Sequence, residues 1–540
     1  MTPTPFVPLA QLIRDRRTHA GGQPLLSFVR HLPDGGFLAQ HRDYAQLWER
    51  GQALARALRR AGMAPGERFA LLMQNHAELV DAVVASSILG TVFVPIDPRT
   101  RGKKLLYMLN SVNCRGVIAG DYCLDALAEV LSEAPGVQWV WAVGEGGGDS
   151  EVARRGPVAD VVRLERLIDP HGEELPCHPV GPDTTMQLVF TSGTTGNPKA
   201  IVGSYAKYAG ACAMVAAVGV TPADRMYNGL SLTHSNALAI TLGGALYLGI
   251  PAVFSRRFSK SGLWRVIREF RCTTLNLLGG MFSAIHSEAP DARDADNPLR
   301  LVIGSGMPGN LWEPFSRRFG VAIAEVYGAA EGGAMVNPPG VGPRGSIGRP
   351  LAGLVARVVD EQDRECAANE PGEIVFQRAE GGAPPVTYLD NPLASQEKTR
   401  GGWLRMGDIG YRDEQGWFFF MHRKGNDIRR NGDFISPGFV EKEIAEHPAV
   451  ADVFVYGVPA ATGAAGEKDL VAAIVPRQGH DWNVASVFDF CGERLERNSV
   501  PSFLQVVEQI PKTASEKPLE RLLREAFSAD APNVVARKGA

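Results

Sequence analysis

The sequence predicts an α/β protein: a large N-terminal domain of stacked α/β sheets with a β-rich subdomain, and a small mobile α+β C-terminal domain. Apolar runs alternate with amphipathic helical segments through the first three fifths of the chain, which is typical of parallel sheets. Short alternating strands with turn residues follow over residues 355–376. At 540 residues, the chain also exceeds what one hydrophobic core usually supports, so at least two domains are expected.

The first elements form a repeating strand–helix unit. Residues 44–61 carry apolar side chains at helical spacing, and Gly62 ends this helix. Residues 68–73 read as a strand, residues 77–90 as a helix and residues 91–96 as the next strand. This order predicts a βαβ unit and therefore a parallel sheet.

Residues 191–200, TSGTTGNPKA, follow an apolar strand-like run over residues 186–190. Glycine lets a backbone approach a ligand, and successive N–H groups with hydroxyls bind phosphate oxygens. The segment differs from the GxxxxGK[ST] loop because its lysine follows Pro198 and no hydroxyl comes next. We predict a phosphate loop, with a flexible surface loop as the alternative. Its predicted ligand-binding residues are Thr191, Ser192, Gly193, Thr194, Thr195, Gly196 and Lys199.

Two later strands, over residues 301–304 and 322–325, also run directly into glycine-containing loops. In open α/β sheets, ligands bind beyond the carboxyl ends of the strands. We therefore expect the loops near residues 191, 305 and 328 to converge on one crevice.

The last part of the chain predicts a hairpin and then a domain boundary. Residues 413–416, DEQG, form a turn signal between two apolar strands. Residues 422–433 are rich in Arg, Lys, Asn and Gly, which indicates a linker. We predict an N-terminal domain over residues 1–422 and a C-terminal lid domain over residues 423–540, with a hinge near 423–426.

Composition excludes several classes of function. A formal net charge of -3 argues against nucleic acid or an anionic membrane as the main partner. The longest apolar stretch is interrupted by glycines and Pro251, so no integral membrane association is expected. Seven scattered cysteines without a CxxC pair predict neither disulfides nor a zinc site. We expect a cytoplasmic protein that is a monomer or a homodimer.

Taken together, these stretches resemble the adenylate-forming (ANL) superfamily of acyl-CoA synthetases, luciferases and peptide-synthetase adenylation domains, from about residue 44 to residue 521. Its members join a carboxylate to the α-phosphate of ATP, release pyrophosphate and pass the acyl group to a thiol. The resemblance implies an AMP-forming acyl-CoA synthetase that acts on a small-molecule carboxylic acid with ATP, Mg²⁺ and coenzyme A. Residues 423–432 are nearest the carnitine and crotonobetaine CoA ligase branch.

The resemblance also assigns nucleotide-binding residues. Glu331 matches the magnesium-coordinating Glu, and Asp408 matches the Asp that accepts hydrogen bonds from the ribose hydroxyls. A solvated Glu and a turn Asp beside Gly407 are the alternatives. The full ATP-binding set outside the phosphate loop is Gly306, Met307, Pro308, Glu325, Val326, Tyr327, Gly328, Ala330, Asp408 and Arg423.

Lys517 ends the segment PKTASEK, which resembles the family's Pro-Lys-Thr-x-x-Gly-Lys. The resemblance gives Lys517 a catalytic role, because the family's lysine reaches the carboxylate and the α-phosphate. Glu331 and His234 complete the predicted catalytic set, although a lone His is often only structural. The predicted acyl pocket consists of His234, Asn236, Gly279, Gly280 and Met281, and these residues hint at a modest, partly polar acid.

Four positions depart from the family pattern. Ala330 replaces a phosphate-contacting Thr, and Glu516 replaces the glycine before Lys517. Gly425 stands at the hinge, where Asp or Lys is common, and Tyr205 stands where many relatives have His. Gly425 and Gly432 are the predicted hinge and CoA-side positions.

Two alternatives to an acyl-CoA ligase stay open. No carrier-protein domain is expected within 540 residues, but a stand-alone adenylation enzyme could charge a separate carrier protein. The second alternative is a non-catalytic nucleotide-binding homologue, which the departures at Ala330 and Glu516 motivate.

Overall fold

The computed structural model describes residues 6–18, 24–144, 161–169, 171–190, 197–424, 428–430, 433–435, 437–460, 468–480, 482–495, 497–513 and 516–537. The chain groups into two compact units. They are Met1–Asn276 with Pro385–Glu397, and Leu277–Pro384 with Lys398–Ala540. Both combine sheets with helices, so the α/β fold class is confirmed. The boundary predicted near residue 423 stays a prediction.

A seven-stranded sheet organises part of the first unit, and its neighbours are parallel except for the last pair. In order across the sheet its strands are Val161–Arg163, Trp139–Val143, Cys114–Gly120, Arg68–Leu72, Val92–Pro95, Thr185–Phe190 and Ala200–Ser204. The helices between these strands are Tyr44–Arg60, Ala77–Leu89, Gly102–Ser111 and Leu124–Ala128.

The helices of this sheet begin and end where their sequences predict. Tyr44–Arg60 begins at a capping box, in which the carboxylate of Asp43 accepts from Gln46 N and the Gln46 amide oxygen accepts from Asp43 N. Ala77–Leu89 is buried along almost its whole length, its buried Asp81 is paired with Arg42, and it ends at Gly90 with φ of 71°. The βαβ unit predicted over residues 68–96 is therefore confirmed.

The first unit holds a second group of paired strands. In order they are Phe37–Arg42, Leu26–His31, Ala252–Ser255, Met226–Asn228 and Thr274–Leu278. Its helices are Leu9–Arg16, Tyr205–Ala217, the π-helix Asn236–Gly243, Gly244–Leu248 and Leu263–Glu269. The small-residue, apolar segment over residues 236–248 is thus a π-helix followed by one short α-helix. π-Helical turns are rare and occur often at functional sites.

In the second unit, strands Leu301–Ser305 and Ala322–Ala329 pair in parallel, and Gly332–Asn337 and Arg349–Pro350 continue the pairing in antiparallel fashion. Helices Gly279–His286 and Trp312–Phe319 belong to this layer. An antiparallel sheet follows, with strands Leu354–Val359, Gly372–Arg378, Leu404–Arg412 and Phe418–Arg423. Helix Pro392–Lys398 precedes its third strand. The predicted β-rich subdomain and the turn over residues 413–416 are confirmed.

The C-terminal part is α+β, as predicted. A two-stranded pair, Ile428–Arg430 and Asp433–Ile435, precedes a four-stranded sheet. The four strands are Val450–Pro459, Lys468–Pro476, Phe503–Val506 and Val534–Ala536, and the helices are Pro437–Ala445, Val484–Arg494 and Glu520–Glu525. Apolar residues of the first three strands and the two longer helices form one buried core. No helix among the described ranges is long and apolar enough to cross a membrane.

Candidate active site

Glu325 links its strand to the loop that follows the neighbouring strand of the second unit. It lies on strand Ala322–Ala329 and is only 2% exposed. Its carboxylate accepts hydrogen bonds from the backbone N–H groups of Gly306 and Met307, which follow strand Leu301–Ser305. Burial raises the pKa of Glu325 to about 7, and the two N–H bonds act in the opposite direction. The predicted convergence of the loops near residues 305 and 328 therefore holds, whereas residues 191–196 lie outside the described residues.

Asp408 is the centre of a hydrogen-bonded charged group. Its Oδ2 accepts from the Tyr327 hydroxyl at 2.6 Å, and its Oδ1 accepts from Arg423 Nη1 at 2.8 Å. Asp408 is 5% exposed, while the Arg423 side chain is about half exposed. Burial and the neighbouring carboxylate raise the pKa of Tyr327 well above its ordinary value, so this hydroxyl stays a donor at neutral pH. The predicted group of Tyr327, Asp408 and Arg423 is thus brought together by antiparallel pairing of the strands that carry Asp408 and Arg423.

Glu373, which the sequence analysis did not single out, holds the backbone around Asp408. Its Oε1 accepts from Gly407 N at 3.2 Å, where Gly407 has a φ of 71°. Its Oε2 accepts from Arg405 Nη1 at 3.3 Å and from Lys424 Nζ at 3.2 Å. One buried carboxylate thereby fixes the residue before Asp408 and the residue after Arg423.

Glu331, Lys398 and Lys517 extend this charged group. Glu331 is buried, with 9% of its surface exposed, and follows strand Ala322–Ala329. Both lysines have Glu331, Asp408 and Arg423 as charged neighbours. Although Lys517 as a whole residue is exposed, desolvation of its amine and then the Arg423 guanidinium lower its pKa, against the opposing effect of Asp408 and Glu331. Two of the three predicted catalytic residues, Lys517 and Glu331, therefore share one electrostatic environment.

The loop that carries Lys517 is folded back on itself. Lys517 N donates to Thr513 Oγ1 at 3.1 Å, and Thr513 N donates to Lys517 O at 2.7 Å. Glu516 has a φ of 58°, in the left-handed region that favours glycine. The family's glycine at this position is thus explained by backbone conformation, and Glu516 adopts the same conformation at a steric cost.

The predicted acyl-pocket residues of the second unit lie at the start of helix Gly279–His286. A Cβ on Gly279 would come within 2.7 Å of Gly306 O, so only glycine permits this close approach. A Cβ on Gly280 would lie 2.8 Å from Lys512 Nζ, which donates to Asp452 Oδ2 at 2.6 Å. Met281 is fully buried, and its sulfur accepts from Leu278 N.

Other predicted residues of the second unit have backbone roles. Val326 is buried in its strand, and Gly328 precedes a bulge where a Cβ would lie 2.8 Å from Gly333 O. Pro308 follows Met307, which bonds to Glu325, and Ala330 precedes Glu331 of the charged group. Both residues are partly exposed. The predicted hinge positions Gly425 and Gly432 lie outside the described residues.

In the first unit, Lys199 is the predicted ligand-binding residue of the phosphate loop that the structure describes. Its Nζ lies 5.3 Å from the centroid of the Tyr388 ring, which is a cation–π distance. Tyr388 is held next to strand Ala200–Ser204 by a backbone bridge to Ile201. The departure at Tyr205 is a buried tyrosine whose hydroxyl donates to Ser87 Oγ at 3.2 Å.

His234 and Asn236 stand at the start of the π-helix. The Nδ1 atom of His234 accepts from Asn236 N at 3.2 Å, which places the proton of the neutral ring on Nε2. The loop before His234 is fixed by buried Asn75, which donates to Leu230 O and accepts from Leu232 N.

Three buried amides form a neutral polar cluster around Asn236. Asn228 and Asn276 each donate from Nδ2 to Asn236 Oδ1, at 3.2 Å and 3.1 Å. Asn228 also donates to Thr241 Oγ1 at 2.7 Å. Within the part of the chain that the structure describes, Asn276 Oδ1 and Thr274 Oγ1 are buried without a hydrogen-bond partner. The sequence did not predict a role for Asn228 and Asn276, because no spacing along the chain links them to Asn236.

Comparison with protein families gives two matches. A model described as AMP-binding enzyme matches residues 27–381. A second model, described as AMP-binding enzyme C-terminal domain, matches residues 440–517, a range that ends at Lys517.

Three similar proteins are CoA ligases, and the similarity extends over most of the length of each. Sulfoacetate–CoA ligase of Cupriavidus necator is 28% identical, with 95% of this chain and 97% of the relative covered. Medium/long-chain-fatty-acid–CoA ligase FadD17 of Mycobacterium tuberculosis is 30% identical, with 88% and 89% covered. Crotonobetaine/carnitine–CoA ligase of Salmonella arizonae is 26% identical, with 90% and 93% covered.

A solved structure confirms the architecture. The anthranilate CoA ligase AuaEII in complex with anthranoyl-AMP has a TM-score of 0.82 at 22% identity, with 96% of this chain and 97% of that chain covered. At this identity the likeness shows the fold.

Proposed function

Because the chain belongs to the AMP-binding enzyme family and is an ATP-dependent acyl-CoA ligase, we propose that Lys517, Glu331 and Asp408 carry its first half-reaction. In that step a carboxylate oxygen attacks the α-phosphorus of ATP, the bond to the bridging oxygen breaks and pyrophosphate leaves. In the second step the CoA thiol gives up its proton and attacks the acyl carbon, and AMP leaves.

The observation that carries this proposal is the convergence of Lys517, Arg423, Asp408 and Glu331 within the second unit. A carboxylate is a weak nucleophile and meets a polyanion, so the site must supply positive charge and hold both reactants in line. A preorganised ammonium group that approaches the α-phosphate stabilises the charge that develops there. Lys517 supplies that group.

The nucleotide's other parts have their own residues. Asp408 uses one lone pair on each oxygen for Tyr327 and Arg423, so each oxygen retains acceptor capacity for a ribose hydroxyl. Residues 306–308 and the Tyr327 ring would lie against adenine. Residues 191–196 with Lys199 would bind the β- and γ-phosphates, as the glycines and hydroxyls of that segment favour.

Magnesium fits Glu331. Mg²⁺ is usually held by one or two carboxylates together with substrate phosphates, not by a complete protein cage. Glu331 is a buried carboxylate with Lys398 and Lys517 as charged neighbours, which suits a site that it would share with phosphate oxygens. Bound there, Mg²⁺ would neutralise phosphate charge and orient the leaving group.

For the acid, we propose a carboxylic acid of modest size that carries a polar group. Support comes from the buried amides around Asn236 and from the Nε2–H of His234 two residues away. Asn276 Oδ1 has no hydrogen-bond partner among the described residues, and an acid without a polar group would leave it so, which costs affinity.

In our proposal, the C-terminal domain changes position before the second half-reaction. Gly425 lies in the predicted hinge near residues 423–426 and Gly432 in the predicted linker over residues 422–433, and glycine can absorb large φ and ψ changes. Rotation of the C-terminal domain over residues 423–540 would withdraw Lys517 and admit the thiol. A cytoplasmic location accords with seven free cysteines, and a monomer or homodimer is our expectation.

The test is ATP-dependent pyrophosphate release with a panel of acids, with and without CoA. The panel contains sulfoacetate, crotonobetaine, carnitine, anthranilate, and medium- and long-chain fatty acids. We expect release with at least one polar acid of modest size and an acyl-CoA product only when CoA is present.

Other results would redirect the assignment. Release without transfer to CoA would favour a carrier protein as the acceptor. ATP binding without release for any acid would contradict the catalytic proposal and favour the non-catalytic alternative, which Ala330 and Glu516 motivate.

A further inference from the structure

Lys398 is a partly buried cation in the proposed nucleotide site that the family comparison does not assign. It ends helix Pro392–Lys398, and its side chain is partly buried. Its Nζ donates to Met406 O at 3.3 Å, two residues before Asp408. This hydrogen bond fixes the amine against the strand that carries Asp408.

The charged neighbours of Lys398 include residues that we assign to two different parts of the nucleotide. Its neighbours are Glu331, Arg423, Asp408 and Glu373. On the proposed function, Asp408 binds the ribose and Glu331 shares a metal ion with the phosphates. The group of ATP that lies between the ribose and the metal-bound phosphates is the α-phosphate.

Lys398 retains the capacity to bind an anion there. An ammonium group has three N–H donors, and Met406 O takes one of them. Desolvation lowers the pKa of Lys398, and the charge of Glu331 acts in the opposite direction. A point charge with unused donors is the usual lysine solution for phosphate.

We propose that Lys398 contacts the α-phosphate and replaces the hydrogen bond that Ala330 lacks. The family's Thr hydroxyl at this position donates to phosphate, and an alanine methyl group cannot. Ala330 directly precedes Glu331, which is a charged neighbour of Lys398. The cation and the departure from the family pattern thus lie at the same part of the site. This inference rests on the proposed function.

The competing interpretation is purely structural. A lysine at the last position of a helix interacts favourably with the helix dipole and can bond to a nearby carbonyl. That role predicts a loss of stability in a Lys398 variant that is independent of residue 330 and of the phosphates of the ligand.

A double-mutant cycle distinguishes the two interpretations. Lys398→Met, Ala330→Thr and the double variant are compared for pyrophosphate release and for binding of ATP, AMP and adenosine by calorimetry. We expect Lys398→Met to weaken ATP and AMP binding and to lower kcat/KM for ATP by about 10-fold to 30-fold, with adenosine binding unchanged. In the Ala330→Thr background the same change should cost less than about 3-fold. Lys398→Arg should stay within about 3-fold of wild type because it keeps the charge.

The control is Lys103→Met, an exposed lysine on helix Gly102–Ser111, which should behave as wild type. Equal losses in the wild-type and Ala330→Thr backgrounds, or an equal loss of adenosine binding, would overturn the proposal. If Lys398→Met does not fold, wild-type-like ATP binding by Lys398→Gln would overturn it as well. The nucleotide-binding arm needs no acid, so failure of the acyl-CoA ligase assignment would appear separately, as absence of pyrophosphate release by the wild-type protein.

Discussion

We propose that two polar clusters divide the tasks of this enzyme between them. The cluster of the second unit is charged: Asp408, Arg423, Glu331 and two lysines lie together, and Glu373 holds the backbone around them. The cluster of the first unit is neutral and consists of amides around Asn236. A charged cluster suits chemistry that is the same for every substrate, namely the binding of a nucleotide polyanion. A neutral cluster of amides suits the choice of one acid among many.

The first prediction breaks the charged cluster at its centre. Asp408→Asn removes the charge and turns an N–H donor toward either Arg423 or Tyr327. Two charge-assisted acceptors for the ribose are weakened, so we expect KM for ATP to rise on the order of 100-fold. That rise corresponds to a loss of about 3 kcal/mol in binding free energy. Steady-state pyrophosphate release measures it. Asp360→Asn, an exposed pair with Arg364, serves as the control and should change KM less than about 2-fold.

The second prediction uses pH to test Glu325, which bonds to the loop beside the charged cluster and, unlike the amides of the neutral cluster, titrates. The pKa of Glu325 is raised to about 7, above its value in the unfolded chain. The native state therefore binds more protons than the unfolded state between about pH 4.5 and pH 7, and its stability falls as pH rises through that window.

Replacing Glu325 isolates its contribution. Glu325→Gln should remove about 2–3 kcal/mol of this pH-dependent loss in the free energy of unfolding, measured by urea titration at about pH 5 and pH 7.5. Buried Glu441, whose pKa is also raised to about 7, causes a second loss in the same window. Glu441→Gln is therefore the matched comparison, and an unchanged slope in Glu325→Gln would refute the assignment.

The third prediction breaks the neutral cluster. Asn236→Ala leaves the Nδ2 groups of Asn228 and Asn276 without their acceptor, which should cost about 2 kcal/mol of stability. It should also change the ranking of acids in the panel, while KM for ATP stays within about 2-fold. Exposed Asn110→Ala is the control. A rise in KM for ATP without a change in acid preference would show that the two clusters are not separate in function.

The smallest expected effect concerns Glu516, which directly precedes Lys517 of the charged cluster. Glu516 has a φ of 58°, so Glu516→Gly should stabilise the protein by about 1 kcal/mol through relief of backbone strain. Thermal unfolding measures this gain. Glu508→Gly, which lies outside the left-handed region, should give no gain, and equal effects of the two changes would contradict the explanation.

The sequence predicted the fold where periodicity is long and regular. Helix Tyr44–Arg60 and the strands that follow it match closely, because amphipathic spacing and terminating glycines mark each boundary. The pair Leu26–His31 and Phe37–Arg42, and the four-residue strand Ala252–Ser255, went unpredicted, since runs this short carry little periodic signal. The π-helix Asn236–Gly243 is apolar almost throughout, and such a pattern does not distinguish one helical pitch from another.

The residues of the candidate site were likewise predicted only in part. Lys517, Asp408 and Glu331 were predicted because each lies in a short motif that resembles one of the adenylate-forming superfamily. Glu373 and Lys398 were not, since antiparallel pairing and a helix end bring them to the site from positions without a local signal. The glycine that Glu516 replaces did carry a signal, because a glycine at one fixed position indicates positive φ.

The most direct test of the central claim is a two-stage experiment on Lys517→Ala and wild type. Each protein is mixed with ATP and the acid selected by the panel, acyl-adenylate and pyrophosphate are measured in single turnover, and CoA is then added. We predict that Lys517→Ala forms the adenylate roughly 100-fold to 1,000-fold more slowly with nearly unchanged ATP binding, yet converts supplied acyl-adenylate to acyl-CoA at close to the wild-type rate. Adenylate formation at the wild-type rate by Lys517→Ala would contradict the account.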